Sequence, residues 1–254
     1  MIDYLTMSSF KDHFSSHAAD YAAFRPTYPI ALVDFLVSIS PATDLAFDCG
    51  CGNGQLSVLL ADRFDRVIAI DASAKQIENA EAHPRIEYRC APAEQSGLPE
   101  SIADLVVAAQ SAHWFDLPTF YEEVRRVARQ QAIVALVTYK LIQVNDIVDS
   151  VISHFYSEVV GPYWPFDRRH VEEGYRSFPF PFREIETPNF TIEAEWGALD
   201  IVAYVDTWSA VREAEKALGR KPMEQFCHDL LTVWTAESPK RTVKLPLALR
   251  VGHV

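Results

Sequence analysis

The chain has 254 residues, 49% of them hydrophobic, and 35 acidic against 23 basic residues give it a net charge of −12. This is the composition of a globular chain with a large core, and its negative charge repels nucleic-acid phosphates, so we expect no nucleic-acid partner. The sequence has no run of about 18 apolar residues, the length that a membrane-spanning helix needs, and its N-terminus lacks a secretory pattern. We therefore predict a cytoplasmic protein without a membrane partner.

Between residues 45 and 140, short apolar runs alternate with segments of helical periodicity. This rhythm indicates βαβ units and therefore an α/β fold with a doubly wound, Rossmann-like parallel sheet. The predicted elements, in chain order, are strand 45–47, helix 54–64, strand 66–71, helix 73–82, strands 85–91 and 103–110, helix 117–130 and strand 132–140.

The regular alternation ends after residue 140. We interpret the chain as a single domain with a core at about 30–140 and 183–254, and a proline- and aromatic-rich insertion at about 141–182 after strand 5. The whole sheet is predicted to be seven-stranded and mostly parallel, with an antiparallel C-terminal strand. The predicted elements of the second half are helix 145–160, extended chain 182–196, helices at about 199–218 and 223–236, and strand 242–251.

A glycine-rich turn follows the first predicted strand. The stretch LAFDCGCGNGQ at 45–55 contains Gly50, Gly52 and Gly54, three of the nine glycines in the chain. Ligands of open α/β sheets bind beyond the carboxyl ends of the strands, where glycines allow the backbone to approach a ligand closely. The spacing differs from the G-x-G-x-x-G of dinucleotide sites, and Asp48 suits an ammonium group better than a pyrophosphate. The pattern therefore favours a cationic ligand and makes an NAD-dependent oxidoreductase the weaker alternative.

A second acidic residue, Asp71, ends the second predicted strand. Doubly wound folds place a carboxylate at this point to bind both hydroxyls of a ribose. The ligand then has a ribose and a positive group but no phosphates, which describes S-adenosylmethionine.

The motifs resemble those of class I S-adenosylmethionine-dependent methyltransferases. FDCGCGNG and VIAIDAS are similar to their first two motifs, and RCAPAEQSGLPESIADLVVAAQSAHWF to the third and fourth motifs of the type-11-like small-molecule branch. FSSHAADYAAFRPTYP at 14–29 resembles the lead-in of trans-aconitate methyltransferases. The resemblance covers roughly residues 10–140 and implies that S-adenosylmethionine is the cofactor and S-adenosylhomocysteine the product.

The resemblance also implies a role for individual residues. Asp48 and the glycine turn would hold the methionine part, Asp71 the ribose, and Ala93 and Glu94 the adenine, with a segment at about 10–29 covering the cofactor. The complete implied cofactor-binding set is Asp48, Gly50, Cys51, Gly52, Gly54, Asp71, Ala72, Ala93, Glu94, Gln110, Tyr21 and Arg25.

One position departs from this family pattern. Relatives usually carry an aspartate directly before the Ala93–Glu94 pair, and this chain has Pro92. The contact to the adenine amino group must then come from elsewhere. Ala72 would flank the adenine, and Gln110 would lie near the methionine backbone.

Candidate substrate residues follow the fourth and fifth predicted strands. His113 is a candidate general base because its unperturbed pKa lies near physiological pH, although a structural histidine is the alternative. A sulfonium is already activated for methyl transfer, so positioning alone can supply much of the rate, roughly 7–11 kcal/mol. Trp114, Tyr139, and Trp164 and Arg168 of the insertion are predicted to line the substrate pocket.

These observations predict an enzyme that transfers a methyl group to a small molecule, without a metal. The acceptor is expected to be a carboxylate or a hydroxyl-bearing metabolite, the former because of the trans-aconitate resemblance and the arginines of the insertion. A non-catalytic module that binds S-adenosylmethionine is an alternative, since this chemistry requires no particular catalytic residue.

Overall fold

A computed structural model describes residues 27–234 and 239–254. The predicted cofactor residues Tyr21 and Arg25, with most of the 10–29 segment, lie outside the described residues. The helices are α1 (Ile30–Ile39), α2 (Gln55–Ala61), α3 (Ala74–Glu78), α4 (Leu117–Val127), α5 (Asp146–His154), α6 (Arg168–Glu172), α7 (Ala198–Asp206), α8 (Ser209–Leu218) and α9 (Lys221–Val233). The strands are β1 (Leu45–Cys49), β2 (Arg66–Asp71), β3 (Ile86–Cys90), β4 (Ala103–Ala109), β5 (Ala128–Tyr139), β6 (Arg183–Glu184), β7 (Thr191–Trp196) and β8 (Arg241–His253).

The strands form one mixed sheet in the order β3-β2-β1-β4-β5-β8-β6, with β7 also paired to β8. Neighbouring strands among β1–β5 are parallel, and β8 runs antiparallel to β5. The predicted α/β architecture with an antiparallel C-terminal strand is confirmed, and the part of the chain that the structure describes contributes eight strands where seven were predicted. The order reverses between β1 and β4, so the connections after these strands leave the sheet on opposite sides and open a crevice at their carboxyl ends.

Two hydrophobic clusters lie on the two faces of the sheet, and alternate residues of β5 belong to each. Ile133, Ala135 and Val137 pack into the cluster that includes α1, α2, α5 and α7–α9, whereas Val134 and Leu136 pack into the cluster that includes α4. A strand buried on both faces needs an unbroken apolar sequence. Full burial of each large aliphatic side chain contributes about 1.5–3 kcal/mol, and this burial fixes the strand ends that carry the polar residues.

One predicted helix, at about 199–218, is two helices in the structure, α7 and α8. The chain leaves the helix at Thr207, whose hydroxyl donates to the Tyr204 carbonyl oxygen at 2.6 Å, and Trp208 is extended with φ −69° and ψ 138°. The turn packs the Trp208 ring against Trp164 and Tyr204, with centroids 5.7 and 5.9 Å apart. Burial of this large ring therefore outweighs continuation of the helix.

The segment from 141 to 182 packs into both hydrophobic clusters. Val148 and Ile152 of α5 join the first cluster, and Val171, Tyr175 and Phe178 join the second. Helix α5 ends at His154 and the chain continues as a π-helical turn over Phe155–Val159. Among the described helices, none is both long and apolar enough to cross a bilayer.

Candidate functional site

A cavity of about 600 Å³ opens at the carboxyl ends of β1, β2 and β4, next to the reversal of strand order. Its volume is within the range of small-molecule sites, roughly 300–1,000 Å³. Its wall consists of residues from the segments 48–56, 71–76, 91–94 and 109–116, with Tyr28, Tyr139 and Asp167.

Most of the residues predicted from the sequence meet at this cavity. Gly54 belongs to the glycine turn but does not itself line the wall. The predicted residues that line it are Asp48, Gly50, Cys51, Gly52, Asp71, Ala72, Ala93, Glu94 and Gln110 from the cofactor set, and Trp114 and Tyr139 from the substrate set.

The glycines of the turn are required for different reasons. Gly50, Gly52 and Gly54 all have positive φ, of 66°, 58° and 90°. A Cβ atom on Gly54 would overlap the Tyr88 hydroxyl, and one on Gly50 would lie 2.5 Å from the Cβ of Ser111, whereas one on Gly52 would meet nothing within 4 Å. Gly50 and Gly54 are therefore needed because the protein packs against itself. The sequence analysis had attributed the close approach to a ligand alone.

Asp48 places a buried carboxylate in the cavity wall. It is 1% exposed, and its Oδ2 accepts a hydrogen bond from the Ser57 hydroxyl at 2.6 Å. Its other oxygen, Oδ1, is buried and has no hydrogen-bond partner within the described part of the chain. Burial raises the pKa of Asp48 from 3.8 to about 7; the Ser57 hydrogen bond opposes this, and the Asp71 charge adds to it. The described residues thus supply no donor to Oδ1, and a donor with a positive charge would lower the pKa again.

Asp71 connects the glycine turn to the loop after β2. Its Oδ2 accepts the Gly52 N–H at 2.9 Å, and its Oδ1 accepts the Ser73 N–H at 2.8 Å. Asp71 therefore fixes the glycine turn and the loop after β2 against each other, in the wall of the cavity.

Gln110 and Glu94 are held by hydrogen bonds at the opposite wall. Gln110 has φ 56°, its N–H donates to the Val137 carbonyl oxygen at 2.8 Å, and its Oε1 accepts from the Thr138 hydroxyl at 2.9 Å. Glu94 Oε1 accepts the Asp116 N–H at 2.8 Å. These contacts fix both side chains before any ligand binds.

His113 does not line the cavity, contrary to the prediction that it faces the methyl acceptor. Its Nδ1 lies 2.9 Å from the hydroxyl oxygen of Tyr175, a fully buried residue with φ 61°. Burial lowers the pKa of His113 to about 3, and the charge of Arg168 contributes to the shift. The pairing with Tyr175 and the low basicity favour the alternative of a structural histidine, and the role of general base stays a prediction.

Trp164 and Arg168 also lie away from the cavity, against the prediction. The Arg168 guanidinium is 4.5 Å from the centre of the Trp164 ring, and its Nε donates to the Tyr156 hydroxyl at 3.0 Å. The Trp164 ring packs against Tyr156 and Trp208, with centroids 4.9 and 5.7 Å apart. Packing within the insertion thus uses the side chains that the sequence suggested for substrate binding.

The charged residues of the described wall are all acidic. None of the lining residues that the structure describes is a lysine, arginine or histidine. A concave surface with one sign of charge concentrates ligands of the opposite sign. The acidic lining residues are Asp48, Asp71, Glu94, Asp116 and Asp167.

Sequence reasoning missed several wall residues. Gln76 is one turn into α3, and Ser111 and Phe115 flank the residues HW that the sequence analysis had singled out. Tyr28 lies near the end of the recognised stretch 14–29, and Asp167 lies in the insertion. Gln76 could have been found from its place on the first turn after Asp71, and Tyr28 from its place in that stretch, but nothing local marks Asp167.

A Rossmann-like sheet with an acidic crevice, and carboxylates at β1 and β2, defines a nucleoside-binding protein of the class I methyltransferase fold. Residues 47–136 match the methyltransferase domain family. The chain is 32% identical over 233 residues to a Dictyostelium discoideum methyltransferase, covering 90% of this chain and 89% of that protein. It is 30% identical over 132 residues to the Saccharomyces cerevisiae protein CRG1, described as an S-adenosylmethionine-dependent methyltransferase, covering 48% and 45% of the two chains.

A solved structure shows the same fold over nearly the whole length. This protein, described as a type II methyltransferase from Anaeromyxobacter dehalogenans, is 44% identical with a TM-score of 0.85, and the match covers 91% of this chain and 98% of that one. The chain therefore belongs to the class I S-adenosylmethionine-dependent methyltransferases, and S-adenosylmethionine is its cofactor.

Two glycine substitutions test the packing of the turn. Gly54→Ala should lower the free energy of unfolding more than Gly52→Ala does. Both place a side chain on a left-handed backbone, at about 1–2 kcal/mol, and only the former also collides with Tyr88, which adds on the order of 1–3 kcal/mol. Urea unfolding of both variants measures the difference. Equal losses would show that Tyr88 does not confine this glycine.

The pairing of His113 with Tyr175 predicts a non-additive effect on stability. His113→Ala leaves the buried Tyr175 hydroxyl without this partner and should cost about 1–3 kcal/mol. Removing both polar groups in His113→Ala/Tyr175→Phe should recover part of that loss. Free energies of unfolding test the structural role of His113, and its effect on the site is tested by the affinity for S-adenosylhomocysteine and by turnover. A double variant with wild-type stability but no turnover would return His113 to a catalytic role.

Asp48→Asn should stabilise the free protein and weaken cofactor binding. A carboxylate whose folded pKa is raised destabilises the fold at pH values above its unfolded pKa, fully so above about pH 7. The variant should therefore gain up to about 4 kcal/mol at pH 8, and the gain should disappear as the pH falls towards 4. Its affinity for S-adenosylhomocysteine should fall about 10–100-fold at pH 8. Thermal unfolding at both pH values and calorimetry measure these effects. Asp116→Asn, which removes an exposed acid of the same wall, is the control for the loss of one charge.

Proposed function

We propose that the enzyme methylates a small molecule that binds beside the cofactor in this cavity. The observation that carries the proposal is the unpartnered Oδ1 of Asp48 in the wall of a space of about 600 Å³. Tyr28, Trp114, Phe115 and Tyr139 supply aromatic surface to the same wall. A small-molecule site combines apolar surface with fixed polar groups, and this wall has both.

The wall residues suit the separate parts of the cofactor. Asp48 Oδ1 accepts the ammonium group of the methionine part, and the Asp71 carboxylate, at the end of β2, binds the ribose hydroxyls. Ala72 and Ala93 flank the adenine. When bound, S-adenosylmethionine supplies a methyl group already activated by its sulfonium. Arg25 and Tyr21, outside the described residues, stay predicted contacts of the cofactor.

We propose a hydroxyl-bearing acceptor in preference to a carboxylate. The carboxylate alternative was based on the trans-aconitate resemblance and on the arginines of the insertion. Of these arginines, Arg168 contacts Trp164 and Tyr156 instead of the cavity. Five acidic side chains line the described wall, so a free carboxylate would be repelled, whereas a neutral acceptor would not. The chain's contribution is then to hold acceptor and cofactor in line and to exclude water, without a histidine base.

The segment at about 141–182 is proposed to close one side of this site. Asp167 of this segment lines the cavity, and His113 joins the segment to the end of β4 through Tyr175. We propose that it forms, with the core at about 30–140 and 183–254, one domain that acts in the cytoplasm.

The first experiment is calorimetry with S-adenosylhomocysteine and, as a control, NADH. Micromolar binding of the nucleoside alone is expected, because the acidic wall repels a pyrophosphate. Transfer of labelled methyl from S-adenosylmethionine is then measured on matched pairs of phenols and benzoic acids. Methylation of the phenols supports the proposal, and methylation of only the carboxylic acids contradicts it. Wild-type rates in Asp48→Asn would contradict the assigned cofactor orientation.

A further inference from the structure

Gln76 carries the second unpaired oxygen of the cavity. Its side chain is 3% exposed, and its Oε1 is buried without a hydrogen-bond partner among the described residues. Within the described wall, the other residue with a buried side-chain oxygen in this state is Asp48. An unpaired buried acceptor costs about 1–3 kcal/mol, so each of these oxygens is suited to a donor that arrives with a ligand.

The position of Gln76 separates it from the methionine end of the site. It lies in the first turn of α3, where its N–H donates to the Ser73 carbonyl oxygen at 3.1 Å. Ser73 in turn donates its N–H to Asp71 Oδ1. Gln76 is therefore linked through Ser73 to the carboxylate that is assigned to the ribose. The loop 91–94 lines the same cavity.

Pro92 of that loop has neither a side-chain acceptor nor an N–H. Glu94 holds the Asp116 N–H with its Oε1, so one of its two oxygens is already used to fix the loop. S-adenosylmethionine presents three kinds of donor: its ammonium group, its ribose hydroxyls and the 6-amino group of adenine. Asp48 suits the first and Asp71 the second, and the buried, unpaired oxygen of Gln76 suits the 6-amino group.

We infer that Gln76 is a specificity-determining residue whose Oε1 accepts the 6-amino group of adenine. This inference rests on the cofactor orientation proposed above. The amide selects a purine with an amino group because a purine without it leaves Oε1 buried and unpaired.

A binding cycle tests this pairing. The affinities of wild type and Gln76→Leu are measured by calorimetry for S-adenosylhomocysteine and for its analogue with hydrogen in place of the 6-amino group. Loss of the amino group should weaken binding to wild type about tenfold and binding to Gln76→Leu less than twofold, since the hydrogen bond is already absent. Gln55→Leu, at the glycine-turn side of the cavity, is the matched control and should keep the wild-type ratio.

Several outcomes decide the question. If removal of the 6-amino group weakens binding equally in wild type and in Gln76→Leu, the assignment of the amino group is overturned. If Gln76→Leu binds S-adenosylhomocysteine with wild-type affinity, Gln76 does not belong to the site. The thermal midpoint of the free variant should not fall, because an unpaired acceptor has been removed; a large fall would indicate a structural role. Gln76→Met, closer in shape, replaces it if the leucine variant does not fold. Failure of wild type to bind S-adenosylhomocysteine would instead refute the orientation proposed for the cofactor.

Discussion

The buried carboxylate of Asp48 is the constraint on which the site depends. An acid with 1% exposure and a raised pKa is unfavourable for the free fold, and Ser57 offsets only part of this effect. Its place at the end of β1 is enforced by a strand that is buried on both faces. Stability gained in the sheet is thus used to hold a group whose full hydrogen bonding requires a cation. The same burial strengthens the attraction once a cation arrives.

The glycine turn shows how the fold and the site are coupled. Ser111, which packs against Gly50, donates its hydroxyl to the Cys49 carbonyl oxygen at 2.8 Å, and so joins the loop after β4 to the end of β1. Asp71 joins the same turn to the end of β2 through the Gly52 N–H. Contacts between the ends of three strands, β1, β2 and β4, therefore hold the crevice at the reversal of strand order in shape. Its shape is set before a ligand binds, which reduces the entropy lost on binding.

The sequence predicted those parts of the molecule that depend on local pattern. Strands such as β5 were recognisable because burial on both faces requires a continuous apolar run, and Asp48 and Asp71 because each adjoins a strand end. Partners distant in the chain had no such signal. His113 and Tyr175 are 62 residues apart, and only the folded chain shows the contact that favours a structural histidine. For the same reason, Arg168 of the insertion could not be distinguished from a substrate-binding residue until its packing on Trp164 was known.

The charge of the wall affects the binding of the cofactor and the release of its product differently. The cofactor carries a positive sulfonium before transfer and a neutral thioether after it, while the five acidic wall residues keep their places. Their field attracts the substrate form of the cofactor more strongly than the product form, so the same residues that recruit the cofactor favour release of its product. A field of this sign also opposes a pyrophosphate, whatever the glycine spacing. The charge of the crevice therefore acts in the same direction as the glycine turn, towards a cationic ligand without phosphates.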